Sequence, residues 1–190
     1  LLNESFLPES IRAKSDYMPY IFSDEEIRRI FHYADNLKGG DYHRKTYQLI
    51  VPMVLRILYG CGTRLAETMA LRRKDVDFKN GTIFLEHAKF EKERLLPVHE
   101  TLLSILEVYC LAMGIMHKPD AYLFPGRKED THLCTRQMDD WFSKILRLSD
   151  IDQREKVPRE RGACMHCLRH LFVMKSLRKL EEKGHPIHLD

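Results

Sequence analysis

The sequence predicts an α+β fold that is mainly α-helical, with a small three-stranded antiparallel sheet. Apolar residues recur at helical spacing along most of the chain, and these stretches are opened by capping residues or closed by glycine. The spacing changes to that of strands only between Val76 and Val98, around the turn signal Asn80-Gly81. A composition of 44% hydrophobic and 31% charged residues over 190 positions suits one globular domain, and excludes a disordered tail or a mini-protein that depends on disulfides.

Residues from Leu1 to Pro19 hold Pro8 and Pro19 and no sustained periodicity, so they read as a linker, and a domain starts near Tyr20. Ser23-Asp24-Glu25-Glu26 is a capping box, followed at helical spacing by Ile27, Ile30, Phe31, Ala34 and Leu37 and ended by Gly39-Gly40. A second helix, apolar all round, is expected from Thr46 to Tyr59, with Pro52 near its first turn or at a kink and Gly60 and Gly62 as its stop. A short helix from Thr63 to about Leu71 comes next, then strands at Val76–Phe78, Thr82–Glu86 and Leu95–Val98. Glu100 to Met113 forms another helix closed by Gly114, and Thr135 to Leu148 one more, built on Met138, Trp141, Phe142 and Ile145. Between them Tyr122-Leu123-Phe124-Pro125-Gly126 reads as a packed loop. Asp150 to Gly162 is polar and reads as a mobile connection. The last helix, Met165 to Glu182, is expected to bury Leu168, Leu171, Phe172 and Leu180, with Gly184 at its C-terminal end.

The richest apolar run, Leu49 to Tyr59, is shorter than the roughly 20 residues of a membrane helix and holds Pro52 and Arg56. The first 22 residues have no apolar segment of a secretory signal, so a cytoplasmic protein without membrane contact is expected. Cys61, Cys110, Cys134, Cys164 and Cys167 are odd in number and scattered, which reads as thiols rather than a disulfide framework. Net charge is only +3, but bases cluster: Arg154 to Arg161 holds four bases and two acids, and Arg169 to Lys183 five and two. A solvated helix face and a nucleic-acid surface both fit such runs.

Three segments carry chemistry. Arg64 follows a glycine break at the start of a helix, where its guanidinium lies beside unsatisfied backbone N–H groups, the makings of an anion site; a plain surface arginine fits equally. Lys89 stands in a hairpin turn, where a flexible cation reaches a ligand or simply sits in water. His166 and Arg169 are three apart at a helix start and share a face. Cys164-Met165-His166-Cys167 invites a zinc reading, but zinc needs a second matched pair of ligands and none exists, so no metal is expected.

Taken in order, these segments resemble the tyrosine recombinase, or phage integrase, family. Gly62-Thr63-Arg64-Leu65-Ala66-Glu67 through Leu71-Arg72, with Asp75 and Asp77, looks like its first arginine box. Lys89 through Lys92-Glu93-Arg94-Leu95-Leu96-Pro97-Val98 looks like its lysine hairpin, and His166-Cys167-Leu168-Arg169-His170 like its second box. The resemblance runs from about Tyr20 to Leu189. It implies the catalytic-core fold of the DNA breaking-rejoining enzymes over residues 20–190, with residues 1–19 as an interdomain linker to a DNA-clamping domain. It implies site-specific recombination or integration of double-stranded DNA through a 3′-phosphotyrosine intermediate, without metal or nucleotide, by a homotetramer that is a monomer when free. On this resemblance Arg64 and Arg169 neutralise the phosphate, Lys89 is the general acid, and His166 binds the phosphate or assists proton transfer. Glu67 and His170 support them, while Arg72, Arg73, Lys92, Arg94, Arg159 and Arg161 touch the DNA. A type IB topoisomerase would use a similar site, but the compact second box and the lysine hairpin favour the recombinases.

The family's third box, a Leu-Gly-His segment and the nucleophilic tyrosine, is not found among the 21 residues from Arg169 to Asp190. Gly184-His185 lacks the leucine, runs straight into Pro186 and reads as a helix cap. All eight tyrosines precede the second box, and a tyrosine of pKa about 10 does not attack without its surrounding site. Two readings follow: a C-terminally incomplete piece of an active recombinase, or a truncated DNA-binding module on the same fold. By either reading the chain as given is expected not to cleave DNA.

Overall fold

The computed structural model describes residues 19–38, 42–86, 93–128, 130–151 and 162–184, the side chains of 42–45 aside. Among them the elements run α1 (Asp24–Asp35), α2 (Tyr42–Cys61), α3 (Leu65–Ala70), a single 3-10 turn (Arg73–Asp75), β1 (Val76–Asp77), β2 (Thr82–Leu85), β3 (Arg94–Pro97), α4 (Glu100–Ala112), α5 (Thr135–Leu148) and α6 (Met165–Glu182). The architecture is therefore helical with one small sheet, as the periodicity predicts.

At the start of α1 the Glu26 amide donates to Ser23 Oγ at 3.2 Å and the Ser23 amide donates to Glu26 Oε2 at 2.7 Å, closing the capping box in both directions. Ile27, Ile30 and Ala34 turn inward from this helix. The central element is α2. Its residues Ile50, Val51, Met53, Val54, Leu55, Ile57 and Leu58 are all buried, and α1, α3, α4 and α6 pack around it.

Two features of α2 differ from the expectation. The helix begins at Tyr42 rather than Thr46, because its first turn is polar and leaves no apolar stripe to read. It also runs through Gly60 to Cys61, with Pro52 inside it. A Cβ on Gly60 would come within 2.8 Å of Leu102 Cδ2, so this glycine lets α4 approach α2 closely instead of stopping the helix. The stop is Gly62, in the left-handed region at φ +61°.

The sheet has the order β1-β2-β3, antiparallel throughout, with Val76 opposite Ile83 and Leu85 opposite Arg94. The β1–β2 turn is tightened by Asp77 Oδ1, which accepts from the amides of Lys79 and Asn80, while Gly81 takes the positive φ that the turn requires. The packed loop expected at Tyr122–Gly126 is present: Leu123 and Phe124 are fully buried, and the Leu123 amide donates to the Leu71 carbonyl at 2.8 Å. On α6, Leu168 and Leu171 are buried and Phe172 half-buried, but Leu180 is 44% exposed, contrary to expectation, because the end of α6 extends past the core. The connection expected to be mobile lies, over 152–161, outside the described residues. No helix among the described residues is long and apolar enough to cross a membrane.

Gly62 couples this fold to the residues that follow it. It sits against α6, and a Cβ here would meet the Phe172 ring at 2.2 Å. Gly62→Ala is expected to cost about 2–4 kcal/mol in urea denaturation, from left-handed strain plus overpacking. Gly114→Ala, at φ +66° with nothing within 4 Å of the added carbon, should lose only the strain, about 1–2 kcal/mol. Equal losses at both positions would show that Phe172 moves aside freely.

Candidate active site

The segment from Gly62 to Thr68 builds the site. After Gly62 the buried Thr63 places its hydroxyl 2.7 Å from Thr68 Oγ1, and Thr68 Oγ1 donates to the Arg64 carbonyl at 3.0 Å. Since the Thr68 proton is committed to that carbonyl, Thr63 is the donor between the two hydroxyls. This short chain of bonds fixes the backbone of Arg64, the N-cap residue of α3.

An arginine side chain has no acceptor, so it cannot complete a capping box; only the return half forms, with the Arg64 amide donating to Glu67 Oε2 at 2.9 Å. The other carboxylate oxygen, Oε1, accepts from Arg64 Nη1 at 2.7 Å and from Arg94 Nη2 of β3 at 2.8 Å. The Glu67 side chain is only 7% exposed, whereas those of Arg64 and Arg94 are 37% and 33% exposed. The carboxylate is thus the buried floor, and the guanidiniums stand above it toward solvent. Burial alone would raise the Glu67 carboxyl, but the Arg64 amide and guanidinium and the Arg94 charge overcome it and hold the carboxyl below its ordinary range.

Arg169, on the second turn of α6, donates through Nη1 to the Gly62 carbonyl. Burial and the positive charge of Arg64 lower its pKa, with Glu67 opposing, so the three guanidiniums and the carboxylate act on one another. Arginine keeps its proton regardless. Three guanidiniums face one carboxylate, and the excess positive charge is the electrostatic signature of an anion site. His166 is exposed on the first turn of the same helix, with its ring edge-to-face against His170 at 4.5 Å. His170 Nε2 is buried without a hydrogen-bond partner.

Of the residues singled out in the sequence, the structure brings together Arg64, Glu67, Arg94 and Arg169, with His166 and His170 on the helix that carries Arg169. Lys89, Lys92, Arg159 and Arg161 lie outside the described residues. Arg72 and Arg73 turn to partners elsewhere in the fold. Arg72 lies 4.0 Å over the Tyr122 ring and reaches Asp130 Oδ1 at 3.2 Å and the Asp120 carbonyl; Arg73 lies 4.6 Å over Phe78 and donates to the Val76 carbonyl at 3.1 Å. Arg94 joins the carboxylate, a role that nothing in its local sequence signals. Phe172 and the two threonines also serve the site, and only their burial reveals it.

The six tyrosines whose side chains are described stand in other roles. Tyr20 donates to Glu26, Tyr59 accepts from Lys175, Tyr109 donates to the Leu123 carbonyl, Tyr122 lies under Arg72, Tyr47 packs on Trp141 and Tyr33 on His32. Among the described residues no three His, Cys, Asp or Glu side chains converge as a metal-ligand set.

A helical core with one small sheet brings arginines from the start of α3, from β3 and from α6 to a buried glutamate, a cluster of net positive charge. The chain belongs to the phage integrase family, whose model matches residues 21–188. Relatives include a candidate integrase/recombinase of Sinorhizobium fredii, 26% identical over 93% of this chain and 62% of that protein. Another is tyrosine recombinase XerC of Chlorobaculum parvum, 35% identical over 48% of this chain and 30% of that protein. Two solved structures share the fold: XerA recombinase, at a TM-score of 0.63 and 22% identity, covering 86% of this chain and 52% of that one, and XerH recombinase bound to its difH substrate before cleavage, at 0.66 and 20%, covering 87% and 44%. The chain therefore spans between about a third and two thirds of the length of these proteins.

The Glu67 carboxylate is expected to act as the pin of the cluster. Glu67→Gln leaves two guanidiniums on a neutral amide and should cost about 1–3 kcal/mol at neutral pH. Because folding lowers this pKa, the wild-type contribution is full above the unfolded value of about 4.3 and is lost as pH falls through the lower folded one. The stability gap between wild type and Glu67→Gln should therefore narrow in acid, as read by urea denaturation; a gap that is constant across that range would show that the carboxylate is not held ionised.

Proposed function

We propose that this chain supplies the phosphate-gripping part of the active site of a site-specific DNA recombinase that cuts and rejoins strands through a 3′-phosphotyrosine link. The observation that carries the reading is the arrangement of Arg64, Arg94 and Arg169 around Glu67. A phosphodiester in transfer builds charge on its non-bridging oxygens, and side chains that are already fixed stabilise that charge without reorganising. In this reading Arg64 and Arg169 bind those oxygens, and Glu67 holds Arg64 and Arg94 in position. His166 hydrogen-bonds the phosphate or helps move the proton, with His170 braced against it.

Lys89 protonates the leaving 5′-oxygen. Support for this role is its place between β2 and β3, whose last pair, Leu85 with Arg94, brings the hairpin to the cluster. Lys92, Arg159 and Arg161 supply contacts to the DNA backbone. Arg72 and Arg73 would join them only by leaving the rings and carbonyls they now touch. The working assembly on DNA is a homotetramer that brings two duplexes together. XerH recombinase, which shares the fold, is bound to its difH substrate in its solved structure, and this supports DNA as the partner here.

Two measurements test the proposal. Binding of duplex DNA, followed by fluorescence anisotropy over a salt series, should weaken in Arg64→Ala and Arg169→Ala, each with a salt slope lower by about one phosphate contact. An unchanged slope in both variants overturns the assignment of the phosphate site. In the protein together with any residues its gene encodes beyond Asp190, a nicked target duplex should trap a covalent protein-DNA adduct, formed about 10²–10³-fold more slowly in Arg169→Ala. Binding with no adduct would instead identify a DNA-binding module without cleavage.

A further inference from the structure

The first turn of α6 carries a pair of thiols that the DNA chemistry does not use. Cys164 is the N-cap residue of the helix and is half-buried; Cys167, one turn on, is fully buried. Their sulfurs are 3.4 Å apart, in direct contact and aimed at one another. The other three cysteines differ. Cys61 and Cys110 are buried singly, and burial pushes both thiols up to about 11; Cys134 is exposed.

We infer that Cys164 and Cys167 form a thiol-disulfide exchange site that takes a low-molecular-weight disulfide as its oxidant and closes to an intramolecular disulfide. The geometry divides the roles. Cys164 is the less buried of the two and lies at a helix N-terminus, where the helix dipole favours a thiolate. Cys167 is shielded, and its thiol is pushed up by its hydrogen bond with Cys164 and by burial, so it stays protonated until its turn comes.

In the first step the Cys164 thiolate attacks one sulfur of the small disulfide, forming a mixed disulfide and expelling one thiolate. Cys167 then gives its proton to solvent and attacks the Cys164 sulfur, expelling the second. The two cysteines lose two electrons and two protons, and the small disulfide becomes two thiols. Closure brings the sulfurs from contact to a bond of about 2.05 Å, within reach of side-chain rotation at residues already touching. The product is a reversible staple across the turn that holds His166 and leads into Arg169.

The test is chemical and stands apart from any DNA activity. The chain is incubated with oxidised glutathione, remaining thiols are alkylated, and peptides are mapped by mass spectrometry. The peptide spanning Cys164 and Cys167 should have lost two hydrogens and be restored by dithiothreitol, while Cys134 carries a glutathionyl group. In Cys167→Ser the resolving thiol is gone, and the glutathionyl group should remain on Cys164. Recovery of Cys164 and Cys167 as alkylated thiols while Cys134 is glutathionylated would overturn the inference, as would a stable glutathionyl group on Cys164 in the unmodified chain. If circular dichroism shows that Cys167→Ser does not fold, the cross-link in the unmodified chain decides alone.

Discussion

A carboxylate nearly removed from water is tolerated only when charge and hydrogen bonds meet both its oxygens, and Glu67 imposes that condition on two parts of the chain at once. Its Oε2 takes the first amide of α3, and its Oε1 takes one N–H from Arg64 and one from Arg94. The helix start and the third strand are thereby tied to one point. Each guanidinium has five N–H donors and gives one of them to Oε1. Arg169 adds a third charge through a different anchor, the Gly62 carbonyl, rather than competing for the same carboxylate. Like charges held close together repel, and among the described residues one buried negative charge offsets only part of that repulsion, which leaves the cluster with a net positive charge.

The precision of this arrangement comes from the helices below it. The middle of α2 is buried, and α6 packs along it, so the end of one and the beginning of the other meet where Gly62 faces Phe172 and Arg169. Gly60 brings α4 against α2, and Gly62 turns the chain without a side chain in the way of Phe172. Close packing allows few alternative positions for either helix. The threonine pair then carries the fixed geometry over one more turn, from Thr63 to Thr68, so that Arg64 leaves the core in a defined direction.

Local sequence patterns reach only part of this arrangement. Helices α1, α4, α5 and α6 were legible because each has an apolar stripe and a cap or glycine within its own sequence. The start of α2 was not, since a polar turn added to a buried helix has no periodicity of its own. Gly60 read as a stop because glycine commonly ends helices, whereas its reason here is Leu102, 42 positions later in the chain. The candidate site was legible as far as Arg64, Glu67, His166 and Arg169, through motif resemblance. The place of Arg94 was not, because its partner lies 27 residues earlier and nothing local selects a carboxylate over a DNA phosphate. Leu180 failed for the opposite reason: its spacing fits the stripe, but the core ends before the helix does.

The arginines also separate by how far their charge is already committed. Arg72 stacks on Tyr122 and meets both Asp130 and the Asp120 carbonyl, and the two aromatic-stacked arginines link the first box to the packed loop and the sheet. These contacts tie both side chains into the fold, and an approaching polyanion would have to compete with them. Arg64 and Arg94 share one carboxylate and Arg169 rests on a carbonyl, so among the described residues the fold has placed their charge and neutralised only part of it. A modest overall charge of +3 is therefore no measure of the attraction at this point. Among the described residues, acids pair with Arg72, Lys74, Arg56 and Lys175 elsewhere in the fold, and one, Glu67, pairs at the cluster. That uneven pairing leaves fixed positive charge at the end of α2 and the start of α6, which is what the proposed phosphate site requires.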